Sequence, residues 1–349
     1  MERVVFVLGS SAGGVGRHVA ALCAGLRDEG VDVRVAAPAS TLRRFDFGVP
    51  ATAVEIGPSI DPVRDLRAAA ALRRAVGAVP GALVHAHGVR AGFVATLAVA
   101  RRTPFVVTLH NAVLGTGPRA RLGTAVLGRV CRRADVVLAV SGDLVAQAHR
   151  LGASVADRAL VPAPALPPGD PARGRAVLGE GPVALTVARL APQKGLGTLL
   201  EAAGRSGVRV VVAGDGPLHD ELAARIRRED LPVQLLGRRE DVADLLAAAD
   251  VAVSASVWEG QPVFVQEALR AGVPVVATDA GGTREVTADA AVLVGVGDAT
   301  ALADALRRLA ADPAQRAVAA HRSRLRAAEL PTASDVLEQL RRVHRAARG

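Results

Sequence analysis

Short runs of apolar residues recur along the chain, and longer stretches with helical spacing separate them. The first run covers residues 4–8 and is followed, after a glycine-rich turn, by a helical pattern from about 16 to 29. Apolar runs bounded by turn residues predict buried strands, and strands that alternate with helices predict parallel sheets covered on both faces. In the first half the predicted strands are 4–8, 31–35, 82–86, 104–108 and 136–140. The pattern therefore predicts an α/β protein.

The alternation is interrupted at residues 161–174 and then restarts. This stretch contains five prolines and two glycines, a composition that favours an extended connection between domains. Beyond it the predicted strands are 183–187, 208–212, 233–236, 251–253, 273–276 and 291–294, and the predicted helices are 196–203, 218–228, 242–248, 263–270, 299–309 and 333–346. The two halves predict two Rossmann-like, doubly wound domains, over residues 1–165 and 166–330.

The domain plan leads to two further expectations. The final segment, about 331–349, is expected to pack back on the N-terminal domain, because its helix has an apolar face. That face is formed by Val336, Leu337, Leu340 and Val343. Ligands of doubly wound sheets bind at the carboxyl ends of the strands, so two facing domains are expected to frame one cleft.

Length and composition exclude several classes of protein. At 349 residues the chain exceeds the usual size of one hydrophobic core, and its 50% hydrophobic content excludes a disordered protein. No apolar run approaches the roughly 20 residues that a membrane span needs, and the N-terminus lacks the pattern of a signal peptide. Cys23 and Cys131 lie far apart in helical patterns. We therefore expect a reduced, cytoplasmic protein.

The formal charge of +9 is concentrated in the first half of the chain. Residues 1–170 hold 20 arginines against 12 acidic residues, whereas the remainder holds 23 basic and 22 acidic residues. A basic half attracts polyanions such as nucleic acid, anionic lipid or phosphorylated substrates, but an arginine-rich composition explains the charge equally well. We expect no nucleic-acid partner.

A glycine-rich turn follows the first predicted strand and precedes the first predicted helix. Gly14 and Gly16 lie in it, and such a turn lets backbone N–H groups approach a phosphate at the helix N-terminus. The dinucleotide fingerprint is absent because Val19 stands where its third glycine is required, and no Walker A lysine follows. The alternative is a tight strand–helix turn without a ligand.

A second cluster leaves the strand at 183–187 and carries two cations, Arg189 and Lys194. A diphosphate needs cations and N–H donors at the carboxyl end of a strand. Lys194 is the only lysine of the chain, and a sequence that otherwise uses arginine is expected to need a compact ammonium there. The alternative is a solvated surface lysine.

A third cluster carries two glutamates, Glu259 before the helix at 263–270 and Glu267 within it. Carboxylates accept hydrogen bonds from pairs of sugar hydroxyls, so this pair suits a polyol at the helix N-terminus. The alternative is a capping Glu259 and an exposed Glu267.

Taken in order, these motifs resemble the GT-B glycosyltransferases of the large retaining family four, and the resemblance spans nearly the whole chain. The matching segments are 13–16, 108–111, 187–195, 213–217, 236–238 and 259–278. The family implies an α/β fold of two Rossmann-like domains facing a cleft. It also implies transfer of a hexose from a GDP- or UDP-sugar to a hydroxyl acceptor with retention of anomeric configuration.

The resemblance also implies roles for individual residues. Arg189 and Lys194 would hold the diphosphate, Glu267 the ribose hydroxyls and Glu259 the donor sugar. His110 would lie by the reacting sugar. Backbone and flanking contacts to the donor would come from Gly14, Gly16, Gly237, Arg238, Gln261, Pro262, Val263, Phe264 and Val265.

No cofactor or metal is expected, and no Asp-x-Asp occurs anywhere in the sequence. The leaving diphosphate gains charge as the glycosidic bond stretches, and Arg189, Lys194 and helix dipoles would stabilise it. The role of His110 stays open between orienting the sugar, acting as a general base and packing as a core histidine. Gln261 and Pro262 depart from the aromatic and glycine often found after Glu-Gly in the family, which leaves the identity of the sugar open.

Two other functions are compatible with the same fold. A nucleotide-sugar epimerase would place carboxylates and histidine in the N-terminal loops, and a non-catalytic nucleotide-sugar-binding module would lose charged site residues. The acceptor carries no recognisable motif.

The segment 117–133 has an amphipathic and basic helical pattern. Leu122, Val126, Leu127 and Val130 share one helix face, and five arginines flank it. Such a helix suits peripheral contact with an anionic membrane. The alternative is an ordinary helix whose apolar face packs on its own sheet.

Overall fold

The computed structural model describes residues 2–11, 13–112, 115 and 117–349. The chain forms two compact units. Unit 1 comprises Met1–Val161 and Pro331–Gly349, and unit 2 comprises Pro162–Leu330. The sequence places the first domain boundary at 165, four residues later than the division seen in the structure.

Within its described residues, unit 1 contains a seven-stranded parallel sheet in the order β3-β2-β1-β4-β5-β6-β7. The strands are β1 Arg3–Leu8, β2 Asp32–Ala37, β3 Ala51–Ala53, β4 Leu83–His87, β5 Phe105–Leu109, β6 Val136–Ala139 and β7 Ala156–Arg158. The helices before the crossing to unit 2 are α1 Gly14–Asp28, α2 Ala39–Arg44, α3 Pro62–Gly77, α4 Val89–Ala98, α5 Pro118–Arg133 and α6 Gly142–Arg150. The strand order reverses between β1 and β4, both of which are buried on both faces over 4–8 and 83–87.

Unit 2, all of which is described, contains a six-stranded parallel sheet in the order β10-β9-β8-β11-β12-β13. The strands are β8 Val183–Val187, β9 Arg209–Ala213, β10 Val233–Gly237, β11 Val251–Ser254, β12 Val275–Thr278 and β13 Ala291–Val294. The helices are α7 Pro171–Leu178, α8 Leu196–Ser206, α9 His219–Arg228, α10 Val242–Ala248, α11 Val263–Arg270, α12 Thr283–Thr287, α13 Ala299–Ala311 and α14 Pro313–Ala328. Here the order reverses between β8 and β11. The predicted α/β class with two Rossmann-like sheets is confirmed.

The predicted connection at 161–174 is wrong in its last part, because α7 begins inside it. Pro171 occupies the first turn of α7, where its missing N–H is not needed. Asp170 caps the helix by accepting hydrogen bonds from the N–H groups of Ala172 and Arg173. A proline-rich composition predicts an extended chain, but a proline at the first turn of a helix is equally compatible with it.

The chain ends in α15, Ala333–Ala346, which belongs to unit 1. Thr332 and Asp335 form a capping box at its start, and Val336, Leu340 and Val343 are buried. The buried Gln339 accepts a hydrogen bond from the Leu160 N–H at 2.9 Å and donates to a carbonyl of the same segment. Among the described residues no helix is long and apolar enough to cross a membrane.

Candidate functional site

In unit 2, the reversal of strand order between β8 and β11 marks the crevice where a doubly wound sheet binds its ligand. The loops after the two strands are held together by main-chain contacts. The Val257 N–H donates to the Gln193 carbonyl at 2.8 Å, and the Gly282 N–H donates to the Glu259 carbonyl at 2.9 Å. The loops after β8, β11 and β12 therefore form one connected rim.

Gly195 allows the loop after β8 to lie against the loop after β11. Its φ is +59°, and a Cβ atom there would stand 1.9 Å from the Ala255 carbonyl oxygen. Only glycine fits such an approach without moving backbone. The glycine after Lys194 therefore fixes the position of that lysine relative to the opposite loop.

Lys194 and Glu259 meet across this crevice. The Lys194 Nζ lies 2.6 Å from Glu259 Oε1, and Ser256 Oγ donates to the same oxygen at 2.6 Å. The two charged side chains are 23% and 15% exposed, so the pair is partly shielded from water. The sequence predicts one group on the diphosphate and the other on the sugar, and the structure brings the two predicted groups into direct contact. The contact with Ser256 was not predicted.

Arg189 lies in the same loop as Lys194 but, unlike Lys194, it is exposed and forms no ion pair with a described residue. Its side chain is exposed, and its guanidinium forms no ion pair or hydrogen bond with any residue that the structure describes. A solvated, unpaired guanidinium is available to an anionic ligand at no cost of breaking an existing pair. Arg189 is therefore the more accessible of the two predicted phosphate-binding cations.

Helix α11 begins directly after Pro262 and presents its N-terminal turn at the rim. Its first backbone hydrogen bond runs from the Gln266 N–H to the Pro262 carbonyl, so the N–H groups of 263–265 precede it. Val265 is buried in the core and can contribute only its backbone, whereas Phe264 is half-buried. Glu267 follows one turn later on the same helix. The turn therefore offers N–H donors and a positive dipole end to an anion.

Gly237 and Arg238 lie at the end of β10, an edge strand two positions away from β8. Gly237 has a φ of +68° and accepts a hydrogen bond from the Gly214 N–H at 2.7 Å. Arg238 is exposed. At the usual strand spacing this edge strand lies about 10 Å from β8.

In unit 1, the glycine-rich turn leads into α1, which begins at Gly14. The Gly16 N–H donates to Ser11 Oγ at 3.2 Å, and a Cβ atom on Gly16 would stand 2.3 Å from the Phe45 ring. Gly16 therefore has a packing reason to be glycine, and its N–H is engaged within the loop. A Cβ atom on Gly14 would meet nothing within 4 Å.

Five histidines of unit 1 lie close together: His18, His85, His87, His110 and His344. His87 Nδ1 lies 3.0 Å from His110 Nε2, and His85 Nδ1 lies 3.1 Å from His344 Nε2. The His18 ring stands edge-on to the His110 ring, with centroids 5.8 Å apart. Of this group, the sequence motifs predict a site role only for His110. The alternation of His85 and His87 along a strand places both on one face, which is the sequence signal for the second histidine.

Burial keeps these imidazoles uncharged. It lowers the pKa of His110 to about 3 and that of His18 to about 4. Burial, reinforced by a neighbouring Arg348, lowers the pKa of His344 to about 4, and burial lowers the pKa values of His85 and His87 well below the usual range. Each ring therefore offers one donor and one acceptor at neutral pH.

These lowered pKa values predict a loss of stability in acid. A histidine whose folded pKa lies below its unfolded value binds protons more readily when unfolded, so stability is full above about pH 6.5 and falls toward pH 4. Urea unfolding of unit 1 should show this decline, at up to about 1.4 kcal/mol per histidine and pH unit. His344→Gln should flatten the slope, whereas His321→Gln, at an exposed position, should leave it unchanged. An equal slope in all three proteins would contradict the assignment.

Two family models match the chain. One, described as Glycosyl transferases group 1, matches residues 181–312, and one, described as Glycosyl transferase 4-like domain, matches residues 13–164. Together they cover most of both units.

Curated relatives and solved structures agree with these matches. The D-inositol 3-phosphate glycosyltransferase of Frankia alni is 33% identical, over 86% of this chain and 87% of its own length. A GDP-mannose-dependent alpha-mannosyltransferase of Mycobacterium tuberculosis is 35% identical over 41% of this chain and 38% of its own. Anabaena HepE in complex with UDP-glucose superimposes with a TM-score of 0.81 at 22% identity, covering 98% of this chain and 99% of that chain.

Proposed function

The chain belongs to the group 1 glycosyltransferases, and we propose that it transfers a hexose from a UDP- or GDP-sugar to a hydroxyl acceptor with retention of anomeric configuration. The observation that carries the proposal is the rim at the β8/β11 reversal. The loops and helix of this rim carry a guanidinium unpaired among the described residues, an ammonium, two carboxylates and a helix N-terminus, at the reversal where such sheets bind ligands. The cations and the helix N-terminus suit a diphosphate, and the carboxylates suit hydroxyl groups, so together they match a ligand that carries both.

The diphosphate is assigned to the cations and to α11. The Arg189 side chain is exposed to solvent. The Lys194 side chain lies in the loop after β8, and Glu259 partly neutralises its charge. The first turn of α11 adds backbone N–H donors from 263–265. As the glycosidic bond stretches, these groups stabilise the charge that gathers on the leaving diphosphate.

The hydroxyl groups are assigned to the two glutamates. Glu267, one turn along α11, accepts from the ribose hydroxyls, and Glu259 accepts from the donor sugar. Glu259 is already oriented by Ser256 and Lys194, so its carboxylate does not need to be ordered when the sugar arrives. Gln261 and Pro262 add contacts beside the sugar. Gly237 and Arg238, at the end of the edge strand β10, are assigned to the base.

For unit 1, the family resemblance implies three donor contacts, and we propose that His110 binds the reacting sugar and that Gly14 and Gly16 bind the distal phosphate. Of the two glycines, Gly14 is the one with open space beside its Cα, whereas Gly16 is covered by Phe45. Retention follows when the departing phosphate takes the proton of the acceptor hydroxyl on the same face of the sugar. That route needs no protein nucleophile and no bound metal.

The proposal is tested with a panel of UDP- and GDP-sugars. The true donor should raise the melting temperature by mass action, corresponding to about 2.7 kcal/mol at a hundredfold excess over Kd. With acceptor present it should be consumed to a product of unchanged anomeric configuration, and chelator should leave the rate unaltered. Stabilisation without turnover would favour a binding module, and conversion of the donor without any acceptor would favour an epimerase.

The predicted membrane contact involves α5, and the structure limits how it forms. Val126, Leu127 and Val130 are buried in unit 1, so most of the apolar stripe packs on its own domain. Leu122 is 53% exposed and lies in the same helical turn as the exposed Arg119 and Arg121. We propose a peripheral, mainly electrostatic contact through this end of α5.

The contact predicts salt-sensitive binding to anionic vesicles. At low salt the protein should co-sediment with anionic but not neutral vesicles, and raised salt should release it, because each arginine adds about 1 kcal/mol that ions screen. Arg119→Glu with Arg121→Glu should abolish binding, and Arg205→Glu on unit 2 should not. No binding of the native protein at low salt would leave an acceptor free in solution.

A further inference from the structure

His85 and His87 lie side by side on β4 but differ in their hydrogen-bond partners. Their rings are stacked with centroids 4.6 Å apart, and both are buried. His85 bonds to His344 and to Thr108 Oγ1, at 3.1 and 2.7 Å. His87 bonds to His110 Nε2 at 3.0 Å. Only His87 is therefore joined to the histidine that is assigned to the reacting sugar.

The second nitrogen of His87 determines where its proton lies. His87 Nε2 is buried and has no hydrogen-bond partner among the residues that the structure describes. A neutral imidazole carries one N–H and one bare nitrogen. A buried donor left without a partner is rarer in proteins than a buried acceptor, as backbone groups show. The proton of His87 is therefore best placed on Nδ1, and Nε2 is left bare.

This placement also fixes the proton of His110. The bond between His87 Nδ1 and His110 Nε2 needs one donor and one acceptor. If His87 donates, His110 Nε2 accepts, and the single proton of His110 lies on Nδ1. That nitrogen has no protein partner among the described residues, and the His110 side chain is partly exposed. His110 then carries an N–H on Nδ1 that no described residue accepts.

We propose that His87 is a positioning residue that holds His110 in the Nδ1–H tautomer, so that His110 donates a hydrogen bond to an oxygen of the substrate and does not act as a general base. The identity of that oxygen, a hydroxyl of the donor sugar or of the acceptor, rests on the proposed function. The tautomer does not, because every residue in the relay belongs to unit 1.

The tautomer is measured directly on the native protein. With ¹⁵N-histidine, ring nitrogens that carry a proton resonate apart from bare ones, and the rings are assigned through their side-chain carbons. At pH 7 both His87 and His110 should show a protonated Nδ1 and a bare Nε2. A protonated Nε2 on His110 would overturn the proposal, whether or not transfer activity has been detected.

Variants of His87 test the positioning role. His87→Leu should lower kcat/KM about tenfold and should mix the His110 tautomers in the ¹⁵N spectrum. His87→Asn places an amide where Nδ1 lies and should recover most of the activity and the single tautomer. His85→Leu removes an equally buried ring that does not touch His110, so it should lower the melting temperature comparably and spare kcat/KM. Equal activity losses in His85→Leu and His87→Leu would reduce His87 to a packing role and overturn the proposal.

Variants of His110 distinguish a role as hydrogen-bond donor from a role as general base. His110→Asn keeps an N–H near the position of Nδ1 but has no basic nitrogen, so a donor role predicts activity within about tenfold of native. His110→Ala removes both and should lose about a hundredfold or more. If His110→Asn were as inactive as His110→Ala, while the ¹⁵N spectrum of the native protein showed His110 Nε2 protonated, general-base catalysis would replace the proposal.

Discussion

Replacing Lys194 by alanine is expected to lower kcat/KM by about two to three orders of magnitude, the usual loss for a group that stabilises developing charge. The structure adds a second reason for a large effect. Without Lys194, the Glu259 carboxylate loses its counter-ion at 2.6 Å and faces the incoming diphosphate unneutralised. Steady-state kinetics with the donor identified by the panel measure the effect.

Arginine is expected to be a poor substitute at this position. The Lys194 ammonium contacts the Glu259 carboxylate, and the backbone of the next residue, Gly195, lies directly against the Ala255 carbonyl. A planar guanidinium is larger and spreads its charge over a fork, so it does not reproduce a point charge in that space. Native turnover in Lys194→Arg would refute the argument drawn from the single lysine.

A matched control separates this effect from the loss of any ion pair. Arg205 pairs with Glu201 at 2.7 Å on α8, and both side chains are about half-exposed. Arg205→Ala removes a cation from an ion pair in the same unit, and an exposed pair of this kind contributes about 0.3–0.5 kcal/mol. It should leave kcat/KM unchanged and the melting temperature nearly so.

The sheets were largely predictable because strands buried on both faces of a parallel sheet consist of nearly continuous apolar residues. Strands 183–187 and 291–294 were placed with the bounds that the structure shows, and the others shift by one or two residues. The strands at 51–53 and 156–158 were missed. Both are three residues long and lack a buried apolar run, so nothing in their sequence distinguishes them from loops.

The site was predictable in its members but not in its contacts. Lys194 and Glu259 stand 65 residues apart, and their contact depends on β8 and β11 being neighbours in the sheet. Neither local propensity nor spacing encodes that neighbourhood. The same reason explains the histidine group, which joins α1, β4, β5 and α15. Sequence spacing identifies charged or polar candidates, whereas their pairing is a tertiary property.

Mutating the two glutamates separately should divide nucleotide binding from sugar binding. Glu267→Ala is expected to weaken free UDP or GDP and the intact donor alike, by about tenfold or more, because a ribose hydroxyl is common to both ligands. Glu259→Ala is expected to weaken only sugar-bearing ligands and to lower kcat. Calorimetry with the nucleoside diphosphate and with the nucleotide sugar measures the two effects independently.

The ion pair sharpens the expectation for Glu259. In the native protein its carboxylate offsets the charge of Lys194 at 2.6 Å, so Glu259→Ala frees an ammonium in the crevice. Free nucleoside diphosphate should therefore bind to Glu259→Ala at least as tightly as to the native protein, although the intact donor binds more weakly. Glu259→Gln should behave similarly toward the diphosphate, since an amide is uncharged, but should retain more affinity for the sugar through its acceptor oxygen. Equal losses of nucleoside diphosphate binding in Glu259→Ala and Glu267→Ala would show that the two carboxylates do not divide the donor between them.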